Sequence, residues 1–450
     1  MDTGDTAWML VSAALVLLMT PGLALFYGGM VRSKSVLNMM MMSVSALGLV
    51  GVLWVLFGYS IAFGADIGGG LLGDPTQFLG LQGTFGGTYL ATDGGPPVDV
   101  PLVGTIPATV FVAFQAMFAI ITVALISGAA ADRLRFGPWL LFAGLWASVV
   151  YFPVAHWVFA FDGVTAGADS AGGWIANQLK AIDFAGGTAV HINAGAAALA
   201  LCLVLGRRRG WPREPMRPHN LTLVMLGAGL LWFGWFGFNA GSAVASNAVA
   251  GLTFVNTLVA TSAAMLAWLL VERVRDGRPT SLGAASGVVA GLVAITPSCS
   301  SVSPIGAVAV GAVAGVLCAL AVGLKFRLGF DDSLDVVGVH LVGGLVGTLL
   351  VGLLATSAAP AGVDGLFYGG GFDQLWRQAV GAGAVLAYSF VLSLILAYLV
   401  KAAAGLRVSD ESEITGIDEG EHAETGYDFS SLRAGGGLAA VAQAKERVVR

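Results

Sequence analysis

The sequence predicts an all-α polytopic membrane protein: eleven transmembrane helices built as an inverted repeat of spans 1–5 and 6–10, with the N-terminus outside and the C-terminus in the cytoplasm. Three observations carry this prediction. Apolar windows of membrane-crossing length recur through most of the chain, positive charges fall on alternate loops, and a frame around a histidine is written twice.

The windows come first. A stretch such as "AWMLVSAALVLLMTPGLALFYGGM" is long enough to cross a hydrocarbon core of roughly 30 Å. Only 11% of the 450 residues are charged, against about a quarter in ordinary soluble domains, so the composition cannot cover a water-facing surface. Mean hydropathy is +0.82. Comparable windows begin near residues 8, 36, 106, 138, 186, 221, 253, 281, 303, 335 and 378.

The charges then orient them. Alternate loops collect "RSK" at 32–34, "DRLR" at 132–135, "RRRGWPREPMR" at 207–217, "ERVRDGR" at 272–278 and "KFR" at 325–327. With Lys401, Arg407 and the tail, twenty Lys and Arg lie on that side and only Lys180 and Arg377 on the other. Positive charge marks the cytoplasmic face, and only an odd number of spans permits the split. Asp2 and Asp5 stand where a cleavable signal would be basic, so the first apolar run is expected to remain as span 1.

This gives a transmembrane domain over 1–405: repeat one about 8–206, repeat two about 221–356 and span 11 about 378–401. Residues 406–450 form a cytoplasmic tail, and the Gly-, Asp- and Pro-rich loop from about 64 to 105 is expected to be irregular. Small-residue patterns such as "GAVAVGAVAG" at 306–315 read as close helix packing. Cys202, Cys299 and Cys318 make no disulfide framework.

Five histidines are present. His219 and His422 fall in cytoplasmic segments and need no special reading, and His156, near the outer end of span 4, reads as interfacial. His191 and His340 differ. "DFAGGTAVHINAG" (183–195) and "DSLDVVGVHLVGG" (332–344) each place Asp eight residues before His, Val directly before it and Gly four after it. Eight helical residues rise about 12 Å, and half of a ~30 Å core is about 15 Å. Both imidazoles are therefore expected near the midplane, approached from opposite faces because five spans separate the copies. That is the pattern of inverted repeats with a site at their interface, and ionisable groups inside spans usually mark pathways. The alternatives are histidines satisfied by nearby carbonyls, or a metal site. The metal reading is weak, since imidazole ligands come in threes or with thiolate or carboxylate partners and no Glu or Cys lies at matching depth.

Aromatic clusters complete the pattern: "FVAFQAMFAIIT" at 111–122, "AHWVFAFD" at 155–162 and "GLLWFGWFGFNAGSA" at 229–243. Such rings are usually interfacial belts, yet their faces also attract cations within about 6 Å. A cluster above two midplane histidines suggests a cation vestibule leading to an apolar pore.

From "TPGLALFYGG" (20–29) through "GWFGFNAGSA" (234–243) and "DDSLDVVGVHLVGG" to "GLRV" (405–408), the chain resembles a bacterial ammonium transporter of the Amt, methylammonium permease and Rhesus superfamily. The resemblance implies eleven helices per subunit in a homotrimer of the cell membrane, with a pore in each subunit. It implies twin pore histidines at His191 and His340, hydrogen-bonded to each other, with Trp235, Phe26 and Tyr27 lining or flanking the pore. Phe118 and Phe238 match a stacked gate; Phe118, Phe159 and Ser242 match the outer ammonium site, which Asp183 supports structurally. The tail "GIDEGEHAETGY" (416–427) resembles the segment through which PII-type signalling proteins block the pore. No cofactor, nucleic-acid partner or enzymatic activity is implied.

Three positions depart from the family. Phe159 stands where Trp is usual, implying weaker cation recruitment or reliance on Trp157; Ala423 replaces Gly in the tail; residues 428–450 extend past the usual end. The implied mechanism is binding of ammonium at the outer site, loss of a proton, and passage of neutral ammonia along uncharged imidazoles, because an unpaired charge in an apolar pore is heavily penalised. Separate transfer of the proton would make transport electrogenic. An ammonium sensor signalling through its tail and a neutral ammonia channel are the rival readings.

Overall fold

In a computed structural model, residues 1–86, 100–167 and 170–428 are described. Among the described residues, ten helices are long and apolar enough to cross a membrane: α1 Thr3–Met30, α2 Val36–Phe63, α3 Ala108–Ala130, α4 Phe136–Phe159, α5 Gly187–Leu205, α6 Leu221–Gly241, α7 Ala248–Arg275, α9 Pro304–Leu328, α10 Val337–Leu354 and α11 Asp373–Ala404. Between α7 and α9 lies a shorter apolar helix, α8 Ser281–Ile295. Its 15 residues rise about 22 Å, and it stands at the place of the eighth predicted span, shorter than the other ten.

Helices form because a chain in hydrocarbon must satisfy its own backbone, and an apolar helix without a polar face suits lipid on one side and protein on the other. Leu10, Val11 and Leu17 of α1 and Leu266 and Leu270 of α7 face outward. Inward faces carry small residues. A Cβ on Gly227 of α6 would meet the Phe26 amide nitrogen of α1 at 2.4 Å. Gly311 and Gly315, within the "GAVAVGAVAG" stretch of α9, lie against the Ala260 and Ala264 carbonyls of α7, where a Cβ would come to 2.0 and 2.3 Å.

In the loop after α2, residues 64–86 and 100–105 are described and the rest of the segment expected to be irregular lies outside them. Strand β1 (Asp66–Ile67) pairs with β2 (Leu72–Gly73), and β3 (Leu102–Val103) with β4 (Ile106–Pro107), each antiparallel. His156 is fully buried rather than interfacial: Nδ1 bonds the Ala62 carbonyl at 3.0 Å and Nε2 the Asp66 carboxylate at 3.2 Å. It fastens that loop to α4.

At the opposite end, charges are buried. Arg208 grips the Asp331 carboxylate through Nε at 2.9 Å and Nη2 at 2.8 Å, and reaches Asp132 at 3.2 Å. Arg133 donates to the Asp331 carbonyl and the Ser333 hydroxyl. The tail packs on the same end. Asp418 accepts from the amides of Leu37 and Asn38 at the start of α2, and Glu413 accepts from Arg407 and the Arg209 amide. His219 and His422, given no role by the sequence, bond the Tyr427 hydroxyl at 2.8 Å and Asn38 Oδ1 at 3.0 Å. Ala423 ends the short helix Ile417–His422 at φ +54°, a left-handed position that favours glycine.

Burial opposes the Asp331 carboxylate, but Arg208 and Arg133 hold its carboxyl below the usual range. A depressed acid contributes stability above its unfolded pKa and loses it as pH falls through the folded one. Asp331→Asn is expected to lower stability by about 3–5 kcal/mol by removing the carboxylate charge between two buried guanidinium groups, Arg208 keeping only Asp132 as an ionic partner. It should also flatten the acid limb of the stability profile, both read from thermal unfolding of detergent-solubilised protein.

Candidate functional site

His191 and His340 meet in the interior. Their Nδ1 atoms are 3.2 Å apart, the ring centroids 5.3 Å, and the planes 23° from parallel. Both rings are buried. One Nδ1 must donate and the other accept, so neutral rings hold opposite roles at this bond. Among the described residues, His191 Nε2 is buried and meets no hydrogen-bond partner.

The repeated frame explains how the rings come together, although not through one continuous helix. Asp183 precedes α5: its carboxylate accepts from the amides of Gly186 (2.9 Å), Gly187 (2.5 Å), Thr188 (2.7 Å) and Ala189 (3.2 Å), and from the Thr188 hydroxyl. Gly186 sits at φ +117°, which opens the turn. Asp332 does the same for α10, accepting from the amides of Val336 and Val337. Each carboxylate satisfies orphan amides at a helix start. The histidines therefore lie only about 5–6 Å into their helices by rise, not the about 12 Å that an unbroken helix from Asp would give. Both first turns are π-helical, Gly187–Ile192 and Val337–Leu341, a local widening often found at functional sites.

The glycine four residues after each histidine permits the crossing. A Cβ on Gly195 would lie 2.5 Å from the Leu341 amide nitrogen, and one on Gly344 would lie 3.0 Å from the Gly187 carbonyl and 3.1 Å from His191 Cβ. Each copy thus lets the other approach.

Two cavities flank this centre. The inner one, about 10 Å³, is lined by His191, His340, Phe26, Trp235 and Phe238 with aliphatic side chains; it stands near the lower limit of ~10–15 Å³ for one water-sized molecule. Trp235 stacks on His191 at 5.4 Å and 18°, and its Nε1 donates to the Thr296 hydroxyl at 2.9 Å. Tyr27 does not line it: its hydroxyl donates to the Leu125 carbonyl at 3.1 Å, and its ring lies against Gly128.

The outer cavity, about 270 Å³, is lined by Phe118, Phe159, Ser242, Gln115, Phe161 and Phe184 among others. Phe118 meets Phe159 edge-on at 6.2 Å. The Ser242 hydroxyl donates to the Phe238 carbonyl at 2.8 Å, leaving its oxygen lone pairs free to accept. Phe118 and Phe238 stack at 4.1 Å and 16° between the two cavities. Trp157 lies elsewhere, its Nε1 bonding the Leu71 carbonyl and its ring packed on Trp174 and Tyr388. It is not among the residues that line the outer cavity.

Sequence reasoning passed over Gln115, whose Oε1 is buried without a partner among the described residues. One polar side chain inside "FVAFQAMFAIIT" was the available signal. Among the described residues, no group of three or more His, Cys, Asp or Glu could hold a metal ion.

A family model described as "Ammonium Transporter Family" matches residues 7–427. An ammonium transporter from Mycobacterium tuberculosis H37Rv is 72% identical over 438 residues, covering 95% of this chain and 91% of the relative. The crystal structure of Saccharomyces cerevisiae Mep2 aligns with TM-score 0.79 and 33% identity over 91% of this chain and 88% of that one. A structure described as "Sensor Amt Protein" aligns with TM-score 0.81 and 28% identity over 93% and 98%.

The crossing makes a direct prediction. Gly195→Ala forces the two helices apart and is expected to lower stability by about 1–3 kcal/mol, as overpacking does. Gly383→Ala, on α11 with nothing within 4 Å of the added methyl, should leave the thermal midpoint unchanged or slightly raised.

Proposed function

The chain belongs to the ammonium transporter family, and from that premise we propose that it binds ammonium in the outer cavity, removes a proton, and conducts ammonia through the twin-histidine centre. One observation carries this reading. A stacked phenylalanine pair stands between an aromatic cavity with an accepting hydroxyl and a water-sized apolar cavity with hydrogen-bonded imidazoles.

Ammonium resembles potassium in size and charge, so a pore that admits the ion could not select by size. The faces of Phe118 and Phe159 attract a cation, and Ser242 and Gln115 offer oxygens to its N–H groups. The ion held there has shed part of its water. Going further as an ion means carrying an unpaired charge between apolar rings, which is heavily penalised. Potassium has no alternative, whereas ammonium has: by giving up a proton it becomes a small neutral molecule. Ammonia then passes Phe118 and Phe238 and meets imidazole nitrogens that exchange hydrogen bonds with it while remaining uncharged. Phe26 and Trp235 keep the walls apolar, and Asp183 holds the start of α5 so that His191 faces the line. The proton follows separately, the imidazole pair accepting it at one ring nitrogen and releasing another proton on the far side so that both rings return to neutral, and this makes the net movement electrogenic.

The same premise supports eleven spans with α8 counted as a crossing, an inverted repeat, the N-terminus outside and the C-terminus in the cytoplasm. The twenty-to-two split of Lys and Arg supports that orientation. A homotrimer in the cell membrane and a PII-type partner at residues 416–427 follow from the resemblance.

In proteoliposomes on a solid-supported membrane, an ammonium jump is expected to evoke a current that potassium does not. His191→Ala should change it on the order of tenfold, the range that loss of one or two hydrogen bonds in a dry site implies. Lumenal alkalinisation without current would replace this mechanism with a neutral ammonia channel. Ammonium binding with neither signal would identify a sensor.

A further inference from the structure

The outer cavity is walled on two sides by short loops. One is the turn of the β3–β4 hairpin, contributing Val103, Gly104 and Thr105; the other follows α6, contributing Ser242 to Ala245. The second loop is under strain, since Val244 sits at φ +52°, a left-handed conformation that a β-branched residue adopts only under constraint. Its neighbour Ser242 carries the hydroxyl assigned to the cation.

Asp5, in the first turn of α1, ties the two loops together. Its Oδ2 accepts from the Thr105 hydroxyl at 2.6 Å, and its Oδ1 accepts from the Ser246 amide at 2.7 Å and hydroxyl at 3.0 Å. The adjoining backbone reinforces the first tie, because the Asp2 amide donates to the Thr105 carbonyl at 2.8 Å. Asp2 in turn caps α1 by accepting from the Asp5 amide at 2.8 Å. One carboxylate, fixed at a helix start, thus spans both walls.

We propose that Asp5 is a positioning residue of the outer cavity, bridging its two walls so that Ser242 and the strained turn at Val244 stay opposite the aromatic rings. The proposal rests on reading that cavity as the ammonium-binding site. Asp5 does not line the cavity and touches no substrate; it sets the spacing of the groups that do. Its effect therefore belongs to binding rather than to passage through the twin-histidine centre.

The test measures ammonium currents across a concentration series. Asp5→Ala is expected to raise KM about fivefold, the change that loss of one hydrogen bond of ordinary strength corresponds to, with maximal current within about twofold of wild type. The Thr105→Val, Ser246→Ala double variant keeps the carboxylate but removes two of its donors, and should raise KM similarly; it also serves if Asp5→Ala fails to assemble. Val244→Gly, which makes the left-handed turn unstrained, should bring the KM of Asp5→Ala back toward wild type. Ser242→Ala tests the underlying site and should raise KM. If Ser242→Ala raises KM and Asp5→Ala does not, the bridging role is wrong and the cavity reading stands. If Asp5→Ala raises KM while the double variant does not, the carboxylate acts as an attracting charge and the bridge is overturned. An unchanged KM in Ser242→Ala would remove the cavity reading and the proposal with it.

Discussion

A polar ring inside an apolar protein needs a hydrogen-bond partner, and here two rings partner each other through their Nδ1 atoms while His191 Nε2 meets none among the described residues. The 3.2 Å contact between His191 and His340 sets demands on everything around it. Helices α5 and α10 must start beside the centre, which requires a carboxylate for their first amides; Asp183 and Asp332 supply it. The same helices must approach within backbone contact, which requires Gly195 and Gly344. Trp235 then closes one face of His191 while its own indole N–H is satisfied by Thr296.

The surroundings of that pair change character over a short path. Outside the phenylalanine stack, oxygens and ring faces line a cavity of about 270 Å³; inside it, aliphatic side chains leave about 10 Å³. A hydrated ion and a bare neutral molecule differ most in their demand for surrounding water. The mechanism proposed above builds on this contrast in size and polarity, by which species would be separated according to their ability to lose charge. Phe159 keeps an aromatic face in the outer cavity, although a phenyl ring binds cations less strongly than an indole.

Away from the centre, short polar side chains tie segments that are distant in sequence. His156 joins α4 to the loop after α2, Asp331 gathers Arg133 and Arg208, and Asp418 caps α2 from the tail. Asp5 belongs to the same class, joining Thr105 to Ser246. Apolar helices pack without directional preference, so such ties are what fix loop positions at their ends.

The sequence by itself determined the helices, because apolar windows of this length have no other stable backbone in lipid. It also determined which residues would meet at the centre, since a frame of Asp, His and Gly repeated at equal spacing encodes a carboxylate start, a ring and a close approach in each copy. Spacing speaks only along the chain, however. It could not reveal that α5 and α10 begin after their aspartates, nor that Tyr27 and Trp157 turn to carbonyls of other segments. Gln115 and Asp5 were equally silent, for their roles lie in walls assembled from residues over a hundred positions apart. Those outcomes were decided by tertiary structure, because a hydrogen bond answers to distance in space, and only the packed helices bring its two ends together.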